Sequence, residues 1–145
     1  FFLYGMIAFL LGHVSYIVAF VGRTRRLALA AAVPFGIWIA WALVSLMPHL
    51  GDMQIPVSVY TLVIFAMMWR ATSLVGSEES ASRFDWLAML GAISFGISDT
   101  LIALDKFHAP IDGVRIPIIL LYWGGQAMIA ASVLSPNAGE IKSDS

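Results

Sequence analysis

The chain contains no cysteine. A disulfide framework, a thiol nucleophile and a cysteine-based metal site are thereby excluded. Charge is scarce as well. Asp, Glu, Lys and Arg together make up 12% of the residues, about half the share usual in soluble domains. The net charge of −1 carries no basic footprint for nucleic acid. The signatures HExxH, GxxxxGK[ST] and GxSxG do not occur, so zincin, P-loop and nucleophile-elbow chemistry find no support. His13, His49 and His108 lie on one apolar stretch and two connectors. No metal site is expected from them.

What the chain has in abundance is apolar length. Hydrophobic residues account for 60% of it and the mean hydropathy is +0.88, which points to an integral membrane protein. A bilayer core of about 30 Å needs roughly 20 apolar helical residues. Five stretches meet this: Phe2–Val21, Leu27–Met47, Pro56–Val75, Phe84–Leu104 and Pro117–Leu134. None shows the polar/apolar alternation of a strand. The expected fold class is an all-α, polytopic membrane bundle. Residues 1–135 form one transmembrane domain in this reading, followed by a polar tail at 136–145. A signal peptide does not fit the first stretch, which is too long and lacks a preceding basic region. The chain opens on Phe1 directly before a span, so an upstream segment is expected.

Arg23, Arg25, Arg26, Arg70, Arg83 and Lys142 fall on one side of such a bundle, and Lys106 and Arg115 on the other. The positive-inside rule then puts the first and third connectors and the C-terminus in the cytoplasm. Arg70, near the cytoplasmic end of its span, is expected to snorkel to the interface. The alternative is a lipid phosphate. Pro34 is expected to kink the second span modestly.

Asp99 is the residue that such a span does not explain. An ionised carboxylate in hydrocarbon costs at least about 2.5–3.5 kcal/mol, so it must face protein or a water-filled cavity. A carboxyl group withdrawn from water favours its neutral form, which suits a general acid. A structural hydrogen bond to a neighbouring helix, or a position near the helix end that reaches water, accounts for it equally.

Depth links it to other polar groups. With a rise of about 1.5 Å per residue, Asp99 lies roughly 8 Å, Tyr60 roughly 6 Å, Tyr122 roughly 8 Å and Gln126 roughly 14 Å from the outer ends of their spans. His13 is near the middle of the first. His13 and Tyr16 share a helix face, as do Tyr122 and Gln126. These groups can line one cavity. Each also has a plainer role, in packing between helices or in an aromatic belt. Ala92, Gly96 and Thr100, and likewise Ser94 and Ser98, recur every four residues, a spacing that lets helices pack closely. Ser98 could also donate a hydrogen bond to Asp99.

Four segments occur in a telling order: FLLGHVSYIVAF (9–20), PVSVYTLVIFAMMWRA (56–71), GAISFGISDTLIALDKF (91–107) and LLYWGGQAMIAAS (120–132). In these the chain resembles the YhhN family of lysoplasmalogenases, over almost its whole length to about Ser135. That family's fold looks like a bundle of about eight membrane helices, so the resemblance implies an N-terminally truncated member. A Gly-Asp motif that precedes the family's GH..Y segment has no counterpart here. The implied reaction is hydrolysis of the vinyl-ether bond of a lysoplasmalogen, giving a fatty aldehyde and glycerophosphoethanolamine or glycerophosphocholine. The resemblance makes Asp99 one of two acting carboxylates, the other upstream, with His13, Tyr16, Tyr60, Ser98, Tyr122 and Gln126 around the substrate. It implies no metal or organic cofactor, a lysophospholipid and the bilayer as partners, and no nucleic acid. Short connectors and the absence of trafficking signals lean toward a bacterial inner membrane.

Two other functions remain open on the residues alone. A small proton-coupled transporter would use Asp99 to carry protons, though no internal repeat supports it. A non-catalytic lipid-binding membrane protein would keep its function in Asp99→Asn.

Overall fold

The computed structural model describes residues 2–76 and 81–134. Phe1, residues 77–80 of the third connector and the tail at 136–145 with Lys142 lie outside the described residues. Most of the described residues are helical. Helix α1 spans Phe2–Arg23, α2 Leu29–Leu46, α3 Gln54–Gly76, α4 Arg83–Ala103 and α5 Arg115–Ser132. Each expected stretch is a helix, with ends shifted by at most two residues, and no strand occurs among the described residues. The protein is an all-α, polytopic membrane bundle.

Four helical segments are long and apolar enough to cross a membrane: Leu3–Arg23, Leu29–His49, Gly51–Gly76 and Arg83–His108. Helix α5 falls short of them. Its 18 residues include Arg115, Gln126 and the Gly124–Gly125 pair, which lower its hydropathy. It belongs to the bundle through α4, its most extensive partner.

That pairing depends on two glycines. A Cβ placed on Gly91 would sit 2.8 Å from the carbonyl oxygen of Gly125, and one on Gly125 would sit 2.8 Å from that of Gly91. The two backbones touch, and neither position has room for a methyl group. Gly96 makes room on the opposite side, where an added Cβ would lie 2.4 Å from the Met68 sulfur on α3. The small-residue spacing on α4 therefore serves two neighbours. Gly91, outside both four-residue series, makes the backbone contact with α5.

The expected cytoplasmic end is tied by polar contacts. Ser82 and Asp85 form a capping box at the start of α4, with Ser82 N–H donating to Asp85 at 2.8 Å and Asp85 N–H donating to Ser82 at 3.2 Å. Asp85 also pairs with Arg23 at the end of α1. Arg23 reaches the Ser132 carbonyl of α5 as well, at 3.3 Å. Three helix ends are joined through one guanidinium.

Arg70 corrects an expectation. It neither snorkels to the interface nor faces lipid phosphate. Its side chain is buried, and its guanidinium donates to the carbonyls of Thr24 and, at 3.1 Å, Arg26. The α1–α2 connector is not helical, so its backbone needs partners from elsewhere. Arg70, Trp69 and Ser73 of α3 supply them. Trp69 Nε1 donates to the Ala28 carbonyl at 3.0 Å, and Ala28 N–H donates to Ser73 Oγ at 3.1 Å. Helix α2 begins right after this clamp and runs through Pro34 without interruption.

At the opposite end, two 3-10 turns, Met47–His49 and Gly51–Met53, join α2 to α3. Gly51 bends the chain between them with φ +50°, a conformation open to glycine at little cost. Helix α4 continues past Ala103 into a π-helical turn at Leu104–His108. Two buried apolar clusters result. The larger includes Phe20, Ile39, Ile64, Met68, Phe95 and Ile129. The smaller is Leu46, Leu50 and Val57 at this opposite end, with Phe107 packed against it. The space between them is not filled by side chains.

Candidate active site

That space is a cavity of about 260 Å³ walled by α1, α2, α3 and α4, with Tyr122 of α5. Along α3 it extends from Val57 to Met68, about 16 Å by the helical rise. Ile39, Ala42, Leu46, Ile64 and Phe107 make most of its wall aliphatic or aromatic. The two threonines that line it present methyl groups. Thr61 donates to Val57 O at 2.7 Å and Thr100 to Gly96 O at 2.8 Å, so each hydroxyl is used within its own helix.

Into this apolar wall α4 places Asp99, and α3 places Tyr60 opposite it. The Tyr60 hydroxyl donates to Asp99 Oδ2 at 2.7 Å. A phenol donating to one oxygen fixes the plane of the carboxyl group and leaves the other, Oδ1, to hold or release a proton. Asp99 is the one carboxylate lining the cavity among the described residues. The charge that troubled the span is thus met by one neutral donor, with no cation beside it.

His13 stands next to this pair. Its imidazole is buried against Phe95, ring centroids 4.6 Å apart, and against Tyr60, 5.8 Å apart. Its Nδ1 faces the Phe9 carbonyl oxygen, which can only accept, so Nδ1 carries the proton. Nε2 is buried and has no hydrogen-bond partner. Tyr122 packs between Phe95, at 5.3 Å, and Phe9, at 5.8 Å. Tyr16 and Gln126 lie further from the α2–α3 turns. Tyr16 donates to Gln126 Oε1 at 2.8 Å, bridging α1 and α5.

Asp99, Tyr60, His13 and Tyr122 are therefore gathered around one place, with Tyr16 and Gln126 adjoining. Ser98 is not among them. Its hydroxyl donates to the Ile118 carbonyl of α5 at 3.1 Å and is fully buried there. The expected bond to Asp99 is absent because consecutive helical residues point about 100° apart, and Ser98 faces α5 where Asp99 faces the cavity. Phe9, an apolar residue, was not expected at the site. Its spacing of four from His13 was the available signal.

The profile of the YhhN family matches residues 1–133. Relatives in mammals and bacteria carry the name lysoplasmalogenase. The chain is 35% identical over 136 residues to the bovine (Bos taurus) lysoplasmalogenase TMEM86A, covering 92% of this chain and 56% of that protein. It is 32% identical over 132 residues to the human lysoplasmalogenase TMEM86B, covering 90% and 53%. With a Mycobacterium tuberculosis lysoplasmalogenase it shares 32% identity over 137 residues, covering 90% and 50%. The chain spans about half the length of these curated relatives. No solved structure matches it significantly.

Proposed function

The chain belongs to the YhhN family, and on that premise we propose that it hydrolyses the vinyl-ether bond of a lysoplasmalogen within the membrane, with Asp99 as the proton donor. One observation carries the reading: a single carboxyl group, oriented by Tyr60, in the wall of an otherwise apolar cavity. The names of the relatives support the substrate class.

An enol ether is cleaved by protonation of its β-carbon. The electron pair of the C=C bond takes the proton from Asp99, and the ether oxygen stabilises the resulting oxocarbenium ion. Water adds to the cationic carbon and gives up a proton to the Asp99 carboxylate, which restores the acid. The hemiacetal formed collapses to a fatty aldehyde and the free glycerol hydroxyl of glycerophosphoethanolamine or glycerophosphocholine. Asp99 supplies the first proton, and its carboxylate then faces the cation at short range. A low-dielectric wall strengthens that attraction relative to water. Tyr60 holds the carboxyl plane and hydrogen-bonds the charge left behind. The aliphatic walls suit the hydrocarbon chain.

The protein is a multi-pass integral membrane protein. For its orientation we place the first and third connectors and the C-terminus in the cytoplasm, on the distribution of Arg and Lys, and the short connectors support a bacterial inner membrane. The test of function is aldehyde release from a 1-alkenyl lysophospholipid in liposomes, wild type against Asp99→Asn. Release that is lost in a folded variant supports the reading. No release from wild type, or equal release from both, overturns it.

A further inference from the structure

A second concavity of about 310 Å³ runs between α1 and α5, beside the Asp99 cavity. Phe9 and Tyr122 belong to the walls of both. Their rings meet edge to face at 5.8 Å and form a partition. The chemistry differs across it. The Asp99 side is an apolar channel. The other side collects His13, Tyr16 and Gln126, and no Asp, Glu, Lys or Arg among the described residues lines it.

Hydrogen bonding on that side is incomplete. His13 Nε2 is buried and unpartnered, and with the proton on Nδ1 it is an acceptor. Gln126 accepts from Tyr16 through Oε1, which leaves its amide N–H groups as donors without a partner among the described residues. At the depth of a membrane core such groups are costly unless something meets them. An acceptor and a donor in one uncharged groove are both met by a hydroxyl group, which donates and accepts at once. A phosphate or an ammonium group would find no opposite charge there.

We propose that this groove is the subsite for the free glycerol hydroxyl of a lysolipid, so that the substrate lies across the Phe9–Tyr122 partition, chain in the Asp99 cavity and glycerol in the groove. The proposal rests on the lysolipid reading above and deepens it. The ether bond joins chain to glycerol, so this pose sets it at the partition, beside the carboxyl group. His13, Tyr16 and Gln126 become the residues that select a lysolipid. Esterifying the hydroxyl removes the proton that His13 Nε2 accepts and sets an apolar chain among groups that need polar partners.

Binding decides this without any turnover. Two non-hydrolysable ligands are compared by titration calorimetry on the protein in detergent micelles: a 1-O-alkyl lysophospholipid, and its 2-deoxy counterpart with the same chain and head group. Wild type is expected to bind the hydroxyl ligand about tenfold more tightly, from two hydrogen bonds. In Gln126→Leu the hydroxyl ligand alone weakens and the ratio falls to within about twofold. Tyr16→Phe, which removes one oxygen and frees Gln126 Oε1, lowers the same ratio and serves if Gln126→Leu does not fold. Equal binding of both ligands to wild type overturns the subsite. So does a preference that survives in both variants, as when another helix fills the groove. Absence of aldehyde release from an alkenyl substrate would overturn the reaction and leave this comparison standing.

Discussion

The hydroxyl of Tyr60 donates to Asp99 Oδ2 across 2.7 Å, from the third helix to the fourth. This bond gives the carboxyl group one fixed orientation inside a cavity that offers it little else. Without it, Asp99 would have neither a partner nor a defined plane. The catalytic predictions start from this pair, and the remaining ones from the contacts that hold α3, α4 and α5 in place around it.

Asp99→Asn keeps the size of the side chain and an oxygen to accept from Tyr60, so the bundle should fold. It removes the transferable proton. Aldehyde release is expected to fall by about 10²–10⁴-fold, the contribution of a positioned acid, with the melting temperature in detergent unchanged. A fall below tenfold would exclude Asp99 as the proton donor.

Tyr60→Phe removes the orienting bond and leaves the acid. The expected loss is about tenfold in kcat, the worth of one hydrogen bond, with KM within about twofold. The double variant Tyr60→Phe/Asp99→Asn should be no slower than Asp99→Asn alone, because both changes act on one carboxyl group. Multiplied losses would mean that Tyr60 acts independently.

Arg70→Met tests the connector clamp. The carbonyls of Thr24 and Arg26 lose this donor, at about 1–3 kcal/mol for the buried Thr24 group. A drop in melting temperature of about 2–4 °C per kcal/mol should follow, with the specific activity of the folded fraction unchanged. Arg70→Lys should recover only part of the loss, since an ammonium group lacks the planar fork. Full recovery would return Arg70 to the interfacial role expected from sequence.

Gly125→Ala tests the α4–α5 contact. The new methyl group meets the Gly91 carbonyl and the Phe95 backbone, and separating the helices is expected to cost about 1–3 kcal/mol. Gly36→Ala is the control, with nothing within 4 Å of the added carbon. It should be neutral or gain up to about 1 kcal/mol in helix propensity. Thermal melts of the two variants side by side settle the comparison, and equal stability would deny the backbone contact.

Much of this was readable in the residues. Long uninterrupted apolar runs placed all five helices, because a membrane segment must satisfy its own backbone and has few ways to do so. Asp99 stood out by cost alone. What failed were particular pairings between neighbours. Arg70 looked like a snorkelling residue when only its own helix was considered, yet the connector between α1 and α2 lies within its reach. Ser98 looked like a partner for Asp99 because it is adjacent in sequence, but adjacency on a helix sets two side chains on different faces. Gly91 belonged to neither spacing pattern and yet makes the backbone contact that joins α4 to α5.

The sequence by itself determined the class of fold, the helices and the one carboxyl group that needs a reason, since these follow from transfer free energies and helical periodicity, which are local. Only the tertiary structure decided that Tyr60 is the partner of Asp99, that Phe9 and Tyr122 divide two chambers, and that Arg70 serves the backbone. Those relations join residues 39, 113 and 46 positions apart, and are set by how the helices pack side by side. No local pattern encodes that arrangement, because it is selected by the fit of whole helix surfaces against one another.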